Sequence, residues 1–580
     1  MVIKKYMEIR KNKQLKKQHI IQLFSGVLII ILLNLLSTFV FTRIDLTSDK
    51  RYTLSDETIK ILKNLDDVVY FKVYLEGEFP SGLNELNRSI KETLDEFKVY
   101  AGENIQYSFI DPFKSDNEEA NKNIYEQLVK KGLKPIPLNI KEKDGSKNQV
   151  VFPSAIATYN DRDIAVNFLQ EQLGANSNII INNSVQMIEY ELANSIKKLQ
   201  TVIKPRIAFL TGHGELSELE TYSIAATLSE NYELRRVILN EKLNSLASIN
   251  AKCLVIAKPD SFFTPKDQFI IDQFIMNGGK VVWLVDGVYV TMDSLQNSPY
   301  TQALPIDLGL DEMLFKYGVR INKNLIMDVN SAYIPINVSP IGAQPKFQPF
   351  KWFYFPLITS ENNHVITKNL SPIRCEFASS IDTIITEDGI KKTILLTSSN
   401  YTKLQGPLEK ISLAIIDQKP NPREYLFANK PIAVLLEGVF PSAFANRVSP
   451  EFEYNDTIMN RQLFKKVSKE TKMIVISDGD IIKNQIHQGS QRAFPLGYDK
   501  YSGEFFGNEK FLLNAINYIM EGEEGLISLR NRELTLRLLN TTKINNERLK
   551  WQIINTVYPI ILIIVIGVLF NFYKKRKYSK

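Results

Sequence analysis

The sequence predicts an α/β protein whose folded part lies between two membrane-spanning helices. Apolar segments bracket the chain at residues 23–41 and 557–572, each with a basic cluster on its terminal side. Over residues 43–202, strand-like and helix-like segments follow the order β-α-β-α-β-β-α. From residue 203 onward, continuous apolar strands alternate with helices, which is typical of a parallel sheet covered on both faces.

The two apolar segments predict transmembrane helices at 20–42 and 553–573, because about 20 apolar residues cross a bilayer core. The basic tails, residues 1–19 and 574–580, predict two cytoplasmic termini at the inner membrane and a large periplasmic region between the helices. A cleaved signal peptide is the alternative for the N-terminus. The first apolar run is longer than a typical signal-peptide core, and no A-x-A site follows it.

The distribution of charge argues against a nucleic-acid partner. The net charge is +7, but residues 1–19 carry +6 and residues 573–580 carry +5, which leaves −4 for the remainder. A nucleic-acid binder would place basic residues on a folded domain. The only cysteines, Cys253 and Cys375, lie in strand-like runs and are expected to be buried thiols.

The first predicted domain covers residues 43–202. Ser55 is expected to cap a helix, with Thr58 at the position where a capping box has Glu. Strands are predicted at 68–75 and 105–110, helices at 82–100, 117–131 and 184–200, and a turn at Asn160-Asp-Arg-Asp. This order of elements is that of the thioredoxin fold. Because the region contains no Cys, thiol redox chemistry is excluded.

The second predicted domain covers residues 203–521 and contains a large insertion at about 300–465. Residues 300–465 are irregular in pattern, but apolar runs near residues 393, 432 and 473 predict further strands of the same parallel kind. A helical stalk is predicted at 522–552, leading to the second membrane helix.

One candidate ligand site is the loop Gly212-His213-Gly214-Glu215, which follows a buried strand and precedes a helix. Ligands of open α/β sheets bind at the carboxyl ends of the strands, and a helix N-terminus favours anions. The glycines would permit close approach of a ligand. The alternative is a tight turn in which His213 is hydrogen-bonded locally.

Asp286, Asp478 and Asp480 also follow apolar strands, so three loops are expected to converge on one edge of the sheet. Their carboxylates could bind a cation or sugar hydroxyls. The alternative is turn formation and helix capping, for which Asp is a common residue.

No catalytic residue, cofactor or metal site is predicted. The chain lacks G-x-S-x-G, H-E-x-x-H and a Cys/His cluster, and it has four His residues in all. It also lacks G-x-x-x-x-G-K-[ST], the loop that would cradle nucleotide phosphates. An ATPase would therefore have to be another protein.

Several stretches, in order along the chain, carry a resemblance to a known family. They are Asp45-Leu-Thr-Ser-Asp-Lys-Arg-Tyr-Thr-Leu-Ser, Val73-Tyr-Leu-Glu-Gly-Glu-Phe-Pro, Phe209-Leu-Thr-Gly-His-Gly-Glu, Ile476-Ser-Asp-Gly-Asp, Gly507-Asn-Glu-Lys-Phe-Leu-Leu-Asn and Asn555-Thr-Val-Tyr-Pro. Together they resemble the GldG-type auxiliary subunit of the gliding-motility-associated ABC transporter. The central region is similar to a domain shared with an intraflagellar-transport protein, which is related to the glutamine-amidotransferase-like α/β fold.

This resemblance implies a non-catalytic, double-anchored subunit that works with a separate permease and a separate ATPase, and that engages an envelope or periplasmic partner. Two alternatives stay open: a substrate-binding protein for a glycan or peptide, and a degenerate hydrolase. The related fold would place a nucleophile after a central strand, where this chain has Leu284-Val-Asp-Gly.

Overall fold

The fold is given by a computed structural model of the chain. It describes residues 20–32, 34 and 541–578, and residues 53–522 apart from gaps at 78, 114–116, 143–144, 170–176, 202, 341–343, 360–363, 369, 387–388, 418, 448–449, 451–463 and 488. The chain divides into two compact units. One joins residues 1–53 to residues 534–580, and the other comprises residues 54–533. The first described helix, α1, is Ile20–Leu32.

The larger unit begins with a mixed α/β region that ends at residue 201. Its elements in chain order are α2 (Asp56–Lys63), β1 (Val69–Val73), α3 (Ser81–Ala101), β2 (Ile105–Phe109), α4 (Glu118–Lys130), β3 (Ile136–Glu142), β4 (Gly145–Val151), β5 (Ser154–Tyr159), β6 (Arg162–Asn167) and α5 (Ser177–Gln200).

Four strands of this region form one sheet in the order β2-β1-β5-β6. β1 and β2 are parallel, whereas β5 runs antiparallel to both β1 and β6. Asn160 and Asp161, with φ of 46° and 61°, make the tight turn between β5 and β6, as hairpin geometry requires. β3 and β4 pair with each other and form a separate two-stranded sheet.

The predicted N-cap at Ser55 is confirmed, and a distant residue replaces the missing capping-box acid. The Ser55 hydroxyl accepts a hydrogen bond from the Thr58 amide at 3.1 Å. Glu189 of α5 accepts one bond from the Ser55 amide, at 2.8 Å, and another from the Thr58 hydroxyl, at 2.9 Å. The start of α2 is therefore tied to α5.

The second region opens with alternating strands and helices. These are β7 (Arg206–Leu210), α6 (Tyr222–Ser229), β8 (Glu233–Val237), α7 (Ser245–Ser248), β9 (Ala251–Ala257), α8 (Pro265–Met276) and β10 (Lys280–Leu284).

Shorter elements follow, with three more strands of the main sheet among them. They are β11 (Val288–Tyr289), α9 (Asp293–Asn297), β12 (Tyr300–Gln302), β13 (Leu304–Pro305), α10 (Asp311–Tyr317), β14 (Val319–Ile321), β15 (Leu325–Asp328), β16 (Ser331–Asn337), β17 (Phe347–Ile358), β18 (Ile373–Arg374), β19 (Ile381–Thr383), β20 (Lys391–Thr397), β21 (Thr402–Gln405), β22 (Lys410–Ser412), β23 (Pro431–Gly438), β24 (Thr471–Ile476), β25 (Ile486–His487), β26 (Arg492–Ala493) and α11 (Asn508–Glu521).

The main sheet has seven strands in the order β20-β23-β24-β10-β9-β7-β8. The strands from β24 to β8 pair in parallel, as predicted. The expectation of a wholly parallel sheet is wrong for β23, which is antiparallel to both β24 and β20. Since β20 and β23 both lie between residues 300 and 465, that stretch is not one uninterrupted insertion.

Two buried cores cover the faces of this sheet. One includes Ile207, Val255, Ile474 and the inner face of α11. The other includes Trp283 and the apolar side of α8. Shorter strands enclose a further core around Trp352 and Tyr354. Cys253 and Cys375 are buried free thiols, as predicted.

The last described helix, α12, is Thr541–Tyr578. Within it, residues 550–576 are apolar enough and long enough to cross a membrane. Among the described residues, α1 is apolar but shorter, and the rest of the predicted span 20–42 lies largely outside them. Residues 523–540 of the predicted stalk 522–552 also lie outside the described part.

Candidate functional site

Loops at the carboxyl ends of β7, β10 and β24 contain the seven residues that the sequence analysis singled out. The loop after β7 packs closely against the loop after β9. The amides of Asp260 and Ser261 donate to the His213 carbonyl oxygen at 2.9 and 3.0 Å. Gly214 has φ of 75°, and a Cβ placed there would lie 1.6 Å from an Asp260 carboxylate oxygen. The close contact that requires glycine at position 214 is therefore made by Asp260 of the same chain, and no ligand is needed to explain it.

His213 is held between two carboxylates and one ring. Its Nε2 lies 3.3 Å from Asp267 and its Nδ1 lies 3.5 Å from Glu215. The imidazole stacks on Phe263 at a centroid distance of 3.9 Å and an angle of 5°. Glu215 also accepts a hydrogen bond from the His213 amide, at 2.7 Å. The side chain of His213 is only 10% exposed.

These contacts favour the protonated, positively charged form of the His213 imidazole. Burial alone would lower its pKa, but the hydrogen bond between Nε2 and Asp267 and the nearby negative charges of Asp267 and Glu215 raise the pKa of His213 to about 9. Asp267 behaves reciprocally. Its burial raises its pKa, but the hydrogen bonds to His213 and Thr264 and the charge of His213 together outweigh that effect, so the pKa of Asp267 is lowered.

A second group forms around Lys258, the first residue after β9. Its ammonium lies 2.8 Å from Asp286 and also pairs closely with Asp480. Burial would lower the pKa of Lys258, yet the two carboxylates raise it well above its ordinary value. The backbone of Lys258 has φ of 55°, and Gly479 approaches so closely that a Cβ there would lie 2.5 Å from the Lys258 Cβ.

Asp478 faces inward and organises the backbone. One of its oxygens accepts from the Asp480 amide and the other from the Glu376 amide, both at 2.8 Å. Burial and the charges of Asp480 and Asp286 raise the pKa of Asp478 well above its usual range. Its position matches a turn-capping role, which was the structural alternative for this residue.

The structure thus brings the predicted residues together in two groups at one sheet edge. His213 and Glu215 belong to one group, and Asp286 and Asp480 belong to the other. Every one of these four charges faces an opposite charge from the same chain. Among the described residues, no cluster of three or more His, Cys, Asp or Glu has the arrangement of a metal site.

Three participants were missed from the sequence: Lys258, Phe263 and Asp267. Two of them had a readable signal. Lys258 directly follows the apolar run Cys253–Ala257, as Asp286 follows its own strand. Asp267 is the third residue after Thr264, whose hydroxyl caps α8 by accepting from the Asp267 amide.

Comparison with known families places this edge within a recognised region. The family described as an ABC-type uncharacterized transport system, an auxiliary family, matches residues 204–515, more than half of the chain. The chain belongs to this ABC transport auxiliary family. The protein is accordingly an auxiliary component of an ABC-type transport system, and both charged groups lie within the matched residues.

Further similarities cover other parts of this auxiliary protein. Residues 48–158 match a domain of unknown function, DUF7088. An uncharacterized protein of Borreliella burgdorferi is 23% identical over 578 residues, covering 97% of this chain and 99% of the relative. A solved structure titled mmIFT52 N-terminal domain is 13% identical, with a TM-score of 0.30, and covers 55% of this chain and 98% of its own. That TM-score is too low to support a fold assignment.

Proposed function

We propose that this protein is a membrane-anchored, non-catalytic subunit that joins a separate permease and a separate ATPase in one transport complex. The observation that carries the proposal is the family match over residues 204–515 in a chain without a nucleotide-binding P-loop. ATP hydrolysis must then occur on a partner. The auxiliary protein contributes binding surfaces outside the membrane.

Anchoring by the C-terminal helix is supported by its composition. Residues 551–573 of α12 contain no charged side chain, and Trp551, Tyr558 and Tyr573 stand where aromatic residues favour the membrane interface. The cluster Lys574-Lys-Arg-Lys follows and favours a cytoplasmic C-terminus. A second anchor at 20–42 would place the N-terminus on the same side and residues 43–552 in the periplasm.

We also propose a thioredoxin-like fold for the first region and an amidotransferase-like fold for the second. The strand order β2-β1-β5-β6, with β1 and β2 parallel and β5 reversed, is the order expected of a thioredoxin-like domain, with the β3–β4 hairpin as an addition. The parallel strands β7 to β10 and β24 support an amidotransferase-like second domain. The thioredoxin-like region has no Cys, so its role would be structural or in recognition.

A non-catalytic role is supported by the chemistry at the carboxyl edge. Where a related hydrolase would place its nucleophile, this chain has Asp286, which is paired with Lys258. We infer that the charged residues there bind the loops to one another. The alternative of a glycan or peptide site at this edge would require a ligand to displace these internal pairs.

The link to gliding motility rests on the resemblance of the ordered sequence stretches alone. It predicts that deletion of the gene abolishes surface movement of the cell as well as assembly of the complex. If the deletion abolished assembly of the complex but left surface movement unchanged, the protein would still be a transporter subunit, and its link to gliding motility would be refuted.

Association is tested by affinity purification of the tagged full chain from gently solubilised membranes. We expect a permease and an ATPase in stoichiometric amounts. A control chain truncated after residue 540, which lacks α12, should lose the permease if the membrane helix provides the contact. Purification of the full chain without either partner would refute the proposal.

Topology is tested separately with introduced cysteines. The native Cys253 and Cys375 are fully buried, so the wild-type protein is the unreactive control. Ile385 is 99% exposed, and Ile385→Cys should react with a membrane-impermeant maleimide in spheroplasts. Ser579→Cys, in the basic tail, should react only after lysis. The reverse pattern would place the folded region in the cytoplasm.

A further inference from the structure

A cavity of about 360 Å³ lies at the amino ends of β9 and β10, the edge of the sheet opposite the charged loops. It is formed by the segment around α7 and by the last turns of α8. Its lining residues are Leu243, Asn244, Leu246, Ala247, Asn250, Ala251, Lys252, Ile270, Gln273, Phe274, Asn277, Gly278 and Gly279. Ligand pockets in proteins begin at about 300 Å³, so this volume suits a small molecule.

The inner wall of the cavity is apolar and fixed. Leu246 and Ile270 are buried in the core that covers this face of the sheet. Phe274 packs over Gly279, where a Cβ would lie 2.5 Å from the ring. Because Gly279 has no side chain, the phenyl ring can stand against the backbone and form one wall.

Two of the polar groups in the lining are already bonded to the protein. Gln273 accepts from the Lys465 amide at 2.9 Å and donates to the Lys465 carbonyl at 3.1 Å. Asn277 accepts from the Lys465 ammonium at 2.6 Å. The rim also has three further exposed polar side chains, Asn244, Asn250 and Lys252, and the exposed Ala247.

Several lysines lie in and around this cavity. No carboxylate stands among the described residues that line the cavity. Lys280 begins β10 beside Cys253 of β9, and Lys469 passes within 3.6 Å of the Cβ position of Gly278. Burial lowers the pKa of Lys280, and the neighbouring charges of Lys252 and Lys472 lower it further. Of these four lysines, Lys472 is paired with Glu437 at 2.7 Å.

We propose that this cavity binds a small organic anion, with an apolar body against Phe274 and Leu246 and a carboxylate or phosphate group at Lys252. Charge complementarity favours an anion over a neutral or cationic molecule, since the rim offers an ammonium and two amides and no negative group. The site is independent of association with a permease, so the proposal does not rest on the proposed function.

Simple probes test the two halves of this proposal. Benzyl phosphate and phenylacetate each combine an aromatic ring with an anion, benzyl alcohol has the ring alone, and inorganic phosphate has the charge alone. Each is titrated with the full chain in maltoside micelles, and binding is followed by ligand NMR line width. We expect at least one of the two organic anions to bind more tightly than both benzyl alcohol and inorganic phosphate.

Three variants locate the binding. Lys252→Gln should weaken binding of the organic anion about fivefold, as expected for loss of one partly exposed ion pair. Ala247→Phe fills the cavity from its exposed side and should abolish binding. Lys351→Gln removes the same charge from an exposed strand position outside the cavity and should leave binding unchanged. The thermal unfolding midpoint of each variant verifies folding.

Each of the following results would overturn the proposal. The first is the absence of binding by both organic anions. The second is equal binding of inorganic phosphate. The third is equal weakening by Lys252→Gln and Lys351→Gln, or binding that Ala247→Phe leaves intact, since either would place the anion elsewhere on the protein.

Discussion

Raising the pH from 6 to 10 should remove the positive charge of His213 and weaken the attachment of the loop after β7 to α8. The imidazole lies 3.3 Å from Asp267 and 3.5 Å from Glu215. Both carboxylates are buried with it, so loss of the proton leaves two negative charges facing a neutral ring. The variant His213→Gln removes the titrating group and retains a polar side chain.

The pKa of His213 gives the magnitude and the sign. The folded-state pKa is about 9, against an ordinary value of 6.5. A raised pKa means that the folded state binds the proton more tightly than the unfolded state. Its stabilising contribution is therefore fully present below pH 6.5 and is lost as the pH rises through 9. The difference corresponds to at most ~3 kcal/mol.

The assay is urea unfolding of the full chain in detergent, followed by tryptophan fluorescence at pH 6, 7, 8, 9 and 10. We expect the free-energy difference between wild type and His213→Gln to be largest at pH 6 and to shrink by up to ~3 kcal/mol by pH 10. His487→Gln, at an exposed position, is the matched control and should show no such trend. A gap between wild type and His213→Gln that stays constant with pH would refute the reasoning.

The remaining predictions concern the group around Lys258. Lys258→Met should lower the free energy of unfolding by about 3–5 kcal/mol, because Asp286 would remain buried without a cation and Asp480 would keep only the more distant Lys483, at 3.9 Å. The triple variant that combines Lys258→Met with Asp286→Asn and Asp480→Asn should recover most of that loss. If Lys258→Met alone were as stable as the wild type, the assigned pairing would be contradicted. Gly479→Ala should cost about 1–3 kcal/mol in the same urea assay, since its Cβ would lie 2.5 Å from the Lys258 Cβ and 2.9 Å from its Cα. Gly406→Ala, where the nearest atom is a flexible carboxylate at 3.2 Å, should be nearly neutral, and equal losses at both glycines would exclude crowding as the cause.

Much of the fold could be predicted because buried strands and amphipathic helices have clear periodicities. In α3, Leu86, Ile90, Leu94 and Phe97 follow one helical face and are all buried. The direction of β23 could not be predicted in the same way. An apolar run such as Ile432–Leu436 specifies burial, but the direction of a strand depends on where the preceding connection leaves the chain.

The hairpin of β3 and β4 shows a second kind of limit. β3 contains Pro137 and charged residues and was not recognised as a strand, because its pattern is weak. β3 pairs with β4, the next strand along the chain, and no periodicity within β3 alone indicates that partner.

The location of the candidate site could be predicted from the sequence, but the ion pairs within it could not. The rule that loops meet at the carboxyl ends of parallel strands correctly brought Asp286 and Asp480 together. The sequence could not show that Lys258 neutralises both, because this pairing joins three loops that are distant along the chain. A sequence shows that a loop residue is charged, but it does not show whether another residue of the chain pairs with that charge.

The position of β10 in the main sheet has a consequence for the newly made protein. β10 ends at Leu284, and its neighbour β24 begins only at Thr471. At about 5–20 residues per second, the ribosome needs on the order of 10–40 s to synthesise the segment between them. Throughout that interval the growing chain presents Val281–Leu284 as an open, apolar strand edge, which is a template for intermolecular pairing. Nascent chains of this protein should therefore need protection by a chaperone until β24 has left the ribosome.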